Sequence, residues 1–342
     1  MRAMVIKSIA DLKKSRTPLE MVDLPIPELG NRDLLLKVKT CGVCHTEIDE
    51  IEGRTPPPKF PVVPGHEIIG IIEETGSEVK KYKAGERVGV GWIFSSCLNC
   101  QYCKNGNENL CDNFVATGRD VNGGYAEYMV VNENFAFSIP EIFSDSQAAP
   151  LMCAGAIGYR SLNLTKLENG ENIGLTGFGA SAHLVLKMVR YIFPDTKIYV
   201  FARNKKEREF SRQLGAVWAG DTEDISPEKL HAIIDSTPVW KPVVEALKNL
   251  NPGGRLVVNA VRKEDVDKEY LLKLNYTRDL WLEKEIKSVA NVARGDLNGF
   301  LKLGAEMSLK PEIQEYALED ANRALTELKA GGVRGAKVLT IS

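Results

Sequence analysis

Four cysteines fall within 15 residues, as Cys97-x2-Cys100-x2-Cys103-x7-Cys111. Thiolates at these intervals can surround one tetrahedral ion and leave no coordination position open, the pattern of a structural zinc site. Ferredoxin runs also begin C-x2-C-x2-C, but their last cysteine follows three residues later and precedes Pro. Here the gap is seven and Asp112 follows, so the spacing favours zinc. A second set is dispersed: Cys44-His45-Thr46, then Gly65-His66-Glu67, then Cys153. An isolated His or Cys is more often packing than ligand. Together, however, two thiolates and an imidazole (Cys44, His66, Cys153) would hold a zinc whose fourth position stays open to water or substrate, as catalytic zinc requires. Cys41, which makes a C-x-x-C with Cys44, reads as a small buried apolar residue, because neither set needs it.

A third constellation is the loop Gly177-Phe178-Gly179-Ala180-Ser181-Ala182, a G-x-G-x-x-A between the apolar run NIGLT and a helical pattern. Glycines allow the backbone a tight turn close to a pyrophosphate, and a helix N-terminus offers it free N–H groups. Gly177, Gly179 and Ala182 are therefore expected at a dinucleotide. A carboxylate should end the next strand to hold the ribose 2′-hydroxyl. KIYVF instead runs into Ala202-Arg203-Asn204, with Lys205, Lys206 and Arg208 beyond. An Arg in that place suits a 2′-phosphate, so NADP is expected over NAD, with Arg203 and Asn204 at the cofactor. The bland reading is a solvated helix start. A basic run there opposes the helix dipole, which weighs against it.

These residues need a scaffold. Up to about residue 150, short apolar or alternating runs (LLLKVKTCGVC, EIIGIIEETG, ERVGVGWIF, YAEYMVVNENFAFSIP) close on Gly, Pro or Asn and read as strands. Beyond AAPLMCAGAIGYRSLNL, which reads as helix, strand and helix alternate through NIGLTGFG, ASAHLVLKMVRYIF, KIYVFA, KKEREFSRQLGA, HAIIDST, VVEALKNL and GGRLVVNAV. That alternation predicts a parallel sheet with helices on both faces. The helices FLKLGAEM and LEDANRALTELKAG then lead to a last strand, AKVLTIS.

Length and charge bound the function. The 342 residues suggest two domains. Lys plus Arg number 44 and Asp plus Glu 46, a net charge of −2 that gives no electrostatic case for nucleic acid. No apolar stretch approaches a membrane span, and the start MRAMVIKSIADLKKS, with charges where a signal peptide needs its apolar core, is not expected to be one. The clustered thiols suit a reducing compartment, so a cytoplasmic protein without membrane anchor is expected.

Together CGVCHTE, PGHE, the four-cysteine loop, GGYAEY, PLMCAGAIGYRSL, GFGASAH and the tail LKAGGVRGAKVL resemble the zinc-containing alcohol dehydrogenases of the medium-chain dehydrogenase/reductase superfamily, in order and spacing across nearly the whole chain. The resemblance implies an α/β fold: a doubly wound Rossmann sheet, residues 154–290, plus a GroES-like β-barrel catalytic domain, residues 1–153 and 291–342, with the active site in the cleft between them. It assigns Cys44, His66 and Cys153 to a catalytic zinc, the Cys2His set that alcohol dehydrogenases use, and Cys97, Cys100, Cys103 and Cys111 to a structural one. Two zinc ions per chain are thus expected. Glu67 falls where relatives keep a carboxylate near the metal. Glu47 replaces their usual Asp as the hydrogen-bond partner of His66. His45 matches a pyrophosphate contact, and Thr46 the hydroxyl that bonds the substrate oxygen. Asp49 stands in the place of a His that ends the proton relay in many relatives. Ile157 replaces a Thr against the nicotinamide. Trp92 and Thr55 match positions lining the substrate pocket, and Thr55 in place of a second Trp suggests a roomier one.

The expected function is hydride transfer between NADP(H), with NAD as the lesser option, and an alcohol, aldehyde or ketone. One alternative is a polyol or sugar dehydrogenase, although such relatives commonly carry a carboxylate where this chain has Cys153. Another is a catalytically silent NADPH-binding sensor, against which the complete ligand set with Thr46 argues. The resemblance also implies a homodimer or homotetramer assembled through the Rossmann sheet.

Overall fold

The computed structural model describes residues 1–331 and 335–341. Of the tail LKAGGVRGAKVL, Gly332, Val333 and Arg334 lie outside the described residues. The chain separates into two compact units, one made of Met1–Cys153 with the stretch from Val292 onward, the other of Ala154–Asn291.

The first unit is built on a seven-stranded sheet whose centre is the eleven-residue strand Asp33–Val43. This strand pairs antiparallel with Ile68–Thr75, with Tyr128–Asn132 and with Ala336–Thr340. Its apolar residues Leu34, Leu36 and Val38 are buried, as alternation predicts for a strand with one face on a core. Cys41 pairs with Ile68, and the Gly42 amide donates to the Glu67 carbonyl at 2.8 Å. That register brings the residues just after Val43 beside those just before Ile68, so Cys44 and His66 meet although 22 positions apart. The last strand, Ala336–Thr340, pairs in parallel with Ile313–Ala317.

The second unit is a six-stranded, wholly parallel sheet. Its spatial order is Trp218–Gly220, Ile198–Phe201, Ile173–Thr176, Leu230–Asp235, Leu250–Val258, Glu285–Ser288. The strands Ile173–Thr176 and Ile198–Phe201 are buried throughout, as continuous apolar runs require when both faces are covered. Tyr199, Phe201, Leu230, Ile233, Val243, Leu247 and Leu256 form a core cluster under the sheet. From Ile173–Thr176 the chain first builds one side of the sheet and then crosses to the other. The reversal between Ile173–Thr176 and Leu230–Asp235 is the switch point at which such sheets bind ligands.

The stretch AAPLMCAGAIGYRSLNL is not one helix. A short 3-10 turn, Ala149–Met152, contains Pro150. The chain then breaks at Cys153, with φ −130° and ψ −77°, before the helix Ala154–Thr165 begins. The break frees Cys153 from helical geometry.

Among the described residues, no helix is long and apolar enough to cross a membrane.

Candidate functional site

Cys44 is the N-cap of a short helix, His45–Ile51, and Glu47 stands at its third position. Glu47 Oε2 accepts the Cys44 amide at 2.7 Å, a backbone group the helix start would otherwise leave unpaired. Its other oxygen, Oε1, lies 2.6 Å from Nδ1 of His66. One buried carboxylate therefore fixes both the cysteine and the histidine. His66 follows Gly65, whose φ of +98° suits only glycine. A Cβ there would stand 2.4 Å from the Tyr125 ring, so the glycine lets the chain turn over that ring and present His66 inward.

Cys44, His66, Glu67 and Cys153 each offer a donor atom within 4.8 Å of the others. The sulfurs of Cys44 and Cys153 are 4.0 Å apart. Two sulfurs held tetrahedrally at about 2.3 Å from one zinc would be about 3.8 Å apart, so the pair fits that ion. The electrostatics agree. The Cys44 thiol is drawn well below its ordinary value by hydrogen bonds from Cys153 and His66, while Cys153 is driven well above by Cys44 and by burial. Two sulfurs this close, one of them drawn toward the thiolate, suit a cation between them. Against its burial, Glu47 and Cys44 hold the His66 imidazole well above its usual range. Burial and the nearby Cys44 push the Glu67 carboxyl well up. With Nδ1 turned to Glu47, the other ring nitrogen of His66 is the one free to ligate.

Cys97, Cys100, Cys103 and Cys111 likewise lie within 4.8 Å of one another, with Cys97 and Cys103 sulfurs 3.9 Å apart. Leu98 takes a left-handed conformation, φ 57°, to fold the loop back so that the Cys100 amide donates to the Cys97 sulfur at 3.3 Å. Backbone N–H groups of Asn99 and Cys100 lower the Cys97 thiol to about 6, and burial with the neighbouring sulfurs raises Cys103 to about 11. Four sulfur donors without an open position fit a structural zinc. Buried Glu108 pairs with Arg294 at 2.7 Å and fastens this lobe to the helix Arg294–Glu306, a tie across 186 residues that spacing could not reveal.

Thr46 Oγ1 is 3.6 Å from the Cys44 sulfur, at the metal corner, and His45 beside it is exposed. Trp92 is buried with its ring centroid 6.3 Å from that of His66. Asp49 is engaged elsewhere: Arg54 Nε donates to it at 2.6 Å, and its carbonyl receives the amide of half-buried Thr55. Buried Glu50, one turn beyond Glu47, was not singled out by any motif. Neither of its carboxylate oxygens has a hydrogen-bond partner among the described residues.

In the second unit, Gly177 leaves the strand Ile173–Thr176 at φ 73°, and a Cβ there would stand 2.9 Å from Thr237. Gly179 caps the thirteen-residue helix Ala180–Ile192 without a side-chain bond, so its first N–H groups face outward from the turn. Ala182 is buried, and half-buried Ile157 lies in the helix Ala154–Thr165. The basic run divides. Arg203 is exposed, as are Lys205 and Lys206, but Arg208 turns inward to the Ala202 carbonyl at 2.7 Å. Asn204, expected at the cofactor, caps the helix Lys205–Gln213 by accepting the Lys206 amide at 2.9 Å.

Comparison with known proteins decides the family. Residues 30–141 match the alcohol dehydrogenase GroES-like domain. A probable alcohol dehydrogenase of Mycobacterium tuberculosis, AdhA, is 40% identical over 329 residues, covering 95% of this chain and 93% of that protein. The chain belongs to the zinc-containing alcohol dehydrogenases of the medium-chain dehydrogenase/reductase superfamily. It is an alcohol oxidoreductase, and its fold joins the expected GroES-like domain to a Rossmann sheet. A probable cinnamyl alcohol dehydrogenase of Pinus radiata is 32% identical over 89% of the chain and 87% of its own length. Among solved structures, a CAD from Helicobacter pylori complexed with NADP(H) superposes with a TM-score of 0.85 at 25% identity, covering 99% of both chains.

Proposed function

We propose that this dehydrogenase is zinc-dependent, carries about two zinc ions per chain, and exchanges hydride between NADP(H) and an alcohol, aldehyde or ketone. The observation that carries the reading is the convergence of Cys44, His66 and Cys153 on one corner, with sulfurs 4.0 Å apart. Zinc held there supplies Lewis acidity to the substrate oxygen, and the nicotinamide supplies the hydride acceptor or donor. The chain's own residues do the rest. Glu47 holds His66 in one tautomer and seats Cys44 at the helix start. The Thr46 hydroxyl, 3.6 Å from Cys44, is placed to accept the proton of a substrate hydroxyl and pass it toward solvent. Glu67 can approach the metal while ligands exchange. Trp92 is an apolar wall beside His66. Because Arg54 already occupies Asp49, that carboxylate is better suited to anchoring the turn after the helix than to ending a proton relay.

Exposed Arg203, with Lys205 and Lys206, supports NADP over NAD, since these three cations follow the strand Ile198–Phe201 and no carboxylate lies between residues 202 and 206. The complex of the Helicobacter pylori relative with NADP(H) is consistent with this. Assembly through the Rossmann sheet is supported by its outer strand. All four residues of Glu285–Ser288 are exposed and the outer edge of this strand is unpaired among the described residues, with Trp281, Leu282 and Ile286 uncovered. Seven free thiols suit the reducing cytoplasm.

A panel of primary and secondary alcohols and aldehydes, run with both cofactors before and after chelation, tests the reading. Zinc-dependent turnover with NADPH preferred supports it. Turnover that survives complete metal removal sinks it.

A further inference from the structure

Asp235 is itself fully buried at the end of the strand Leu230–Asp235 of a Rossmann sheet, where an apolar residue would cost nothing to bury. Its carboxylate is completely engaged. Oδ1 accepts the Thr176 hydroxyl at 2.5 Å and the Thr237 hydroxyl at 2.8 Å, and Oδ2 is paired with the ammonium of Lys263, whose side chain is 8% exposed. The same ammonium donates to the carbonyls of Thr237 at 2.7 Å and Val239 at 3.1 Å. The Glu264 amide, next in the chain, donates to the Pro238 carbonyl at 2.6 Å. One cation thus ties the loop after Leu230–Asp235 to the loop after Leu250–Val258, and through Asp235 to Thr176.

Thr176 is the residue before Gly177, and Thr176 and Asp235 are direct partners across the sheet at its switch point. The tied loop is also the surface that limits Gly177. Ser236 donates through both its amide, at 3.1 Å, and its hydroxyl, at 3.0 Å, to the Thr176 carbonyl, and Thr237 is the group a Cβ on Gly177 would strike. A buried ion pair is a poor device for stability alone, since an apolar pair of similar volume does as well or better. It does fix one geometry, because neither charge tolerates losing its partner.

We propose that Lys263 and Asp235 are positioning residues that lock residues 236–239 against Gly177 and so preorganise the dinucleotide site. This rests on reading the second unit as the cofactor-binding one. Neither side chain need touch the cofactor. Their effect passes through the loop backbone.

The test is dinucleotide binding rather than turnover. NADPH affinity is measured by fluorescence on the full chain for wild type, Lys263→Met and the charge-balanced double variant Asp235→Asn with Lys263→Met, with zinc content as the control for the first unit. The expected result is a Kd raised about tenfold or more in both variants at unchanged zinc content. Hydrogen exchange on the wild type gives a reading independent of whether the variants fold: NADPH should protect residues 236–239 and 259–264 together with 177–183. Protection confined to 177–183, or a folded double variant with wild-type Kd, overturns the proposal alone. A wild type that binds no dinucleotide overturns the cofactor reading and this proposal with it.

Discussion

Glu47 touches two members of the metal corner at once, with Oε1 2.6 Å from His66 Nδ1 and Oε2 receiving the Cys44 amide at 2.7 Å. Removing its charge should therefore loosen imidazole and thiolate together. Glu47→Gln is expected to lower zinc affinity at this site about 10–100-fold, the usual cost of losing a carboxylate behind a ligating histidine. Competition against a graded series of chelators measures it. The four-cysteine lobe, which Glu47 does not touch, should keep its zinc in the same titration.

Glu50 gives a stability prediction with a defined sign. Burial first, and then the nearby Glu47, push its carboxyl well above the ordinary 4.5. A carboxyl whose folded-state pKa is raised takes up protons on folding. Its ionisation therefore erodes stability as pH rises from the unfolded value through the folded one, and the loss persists above. Glu50→Gln removes the titration. In zinc-replete buffer the melting temperature of the variant relative to wild type should climb as pH rises above the ordinary 4.5. A difference that stays flat or falls over that range would show that Glu50 is paired in solution.

Arg203 stands exposed after a strand that ends without a carboxylate. Arg203→Asp should weaken NADPH binding by about tenfold or more, the scale of a lost charge-assisted phosphate contact, and leave NADH binding nearly unchanged. Parallel titrations with the two cofactors decide it. Equal losses for both would place Arg203 outside the 2′-phosphate site.

Much of this was legible in the residues because chemistry constrains spacing. The four-cysteine run lies in one local loop, so its intervals alone describe the cluster that the fold forms. The dispersed trio could be listed from residue types. Its assembly, however, depends on strand register, Cys41 against Ile68, and on the break at Cys153 that a helical pattern concealed. Side chains of mixed use were harder. Asn204 and Arg208 share a basic run with Arg203, yet one caps a helix and the other turns inward, a division made by helix phase. Asp235–Lys263 and Glu108–Arg294 were invisible because each joins residues far apart through tertiary packing, with no motif to mark them.

Zinc counted per folded chain, in wild type and in Cys153→Ser, probes the open metal corner most directly. About two ions are expected in the wild type. In the variant one should be lost almost completely, with alcohol oxidation lost and the four-cysteine ion retained. A variant that still holds both ions and turns over alcohol at the wild-type rate would contradict that expectation.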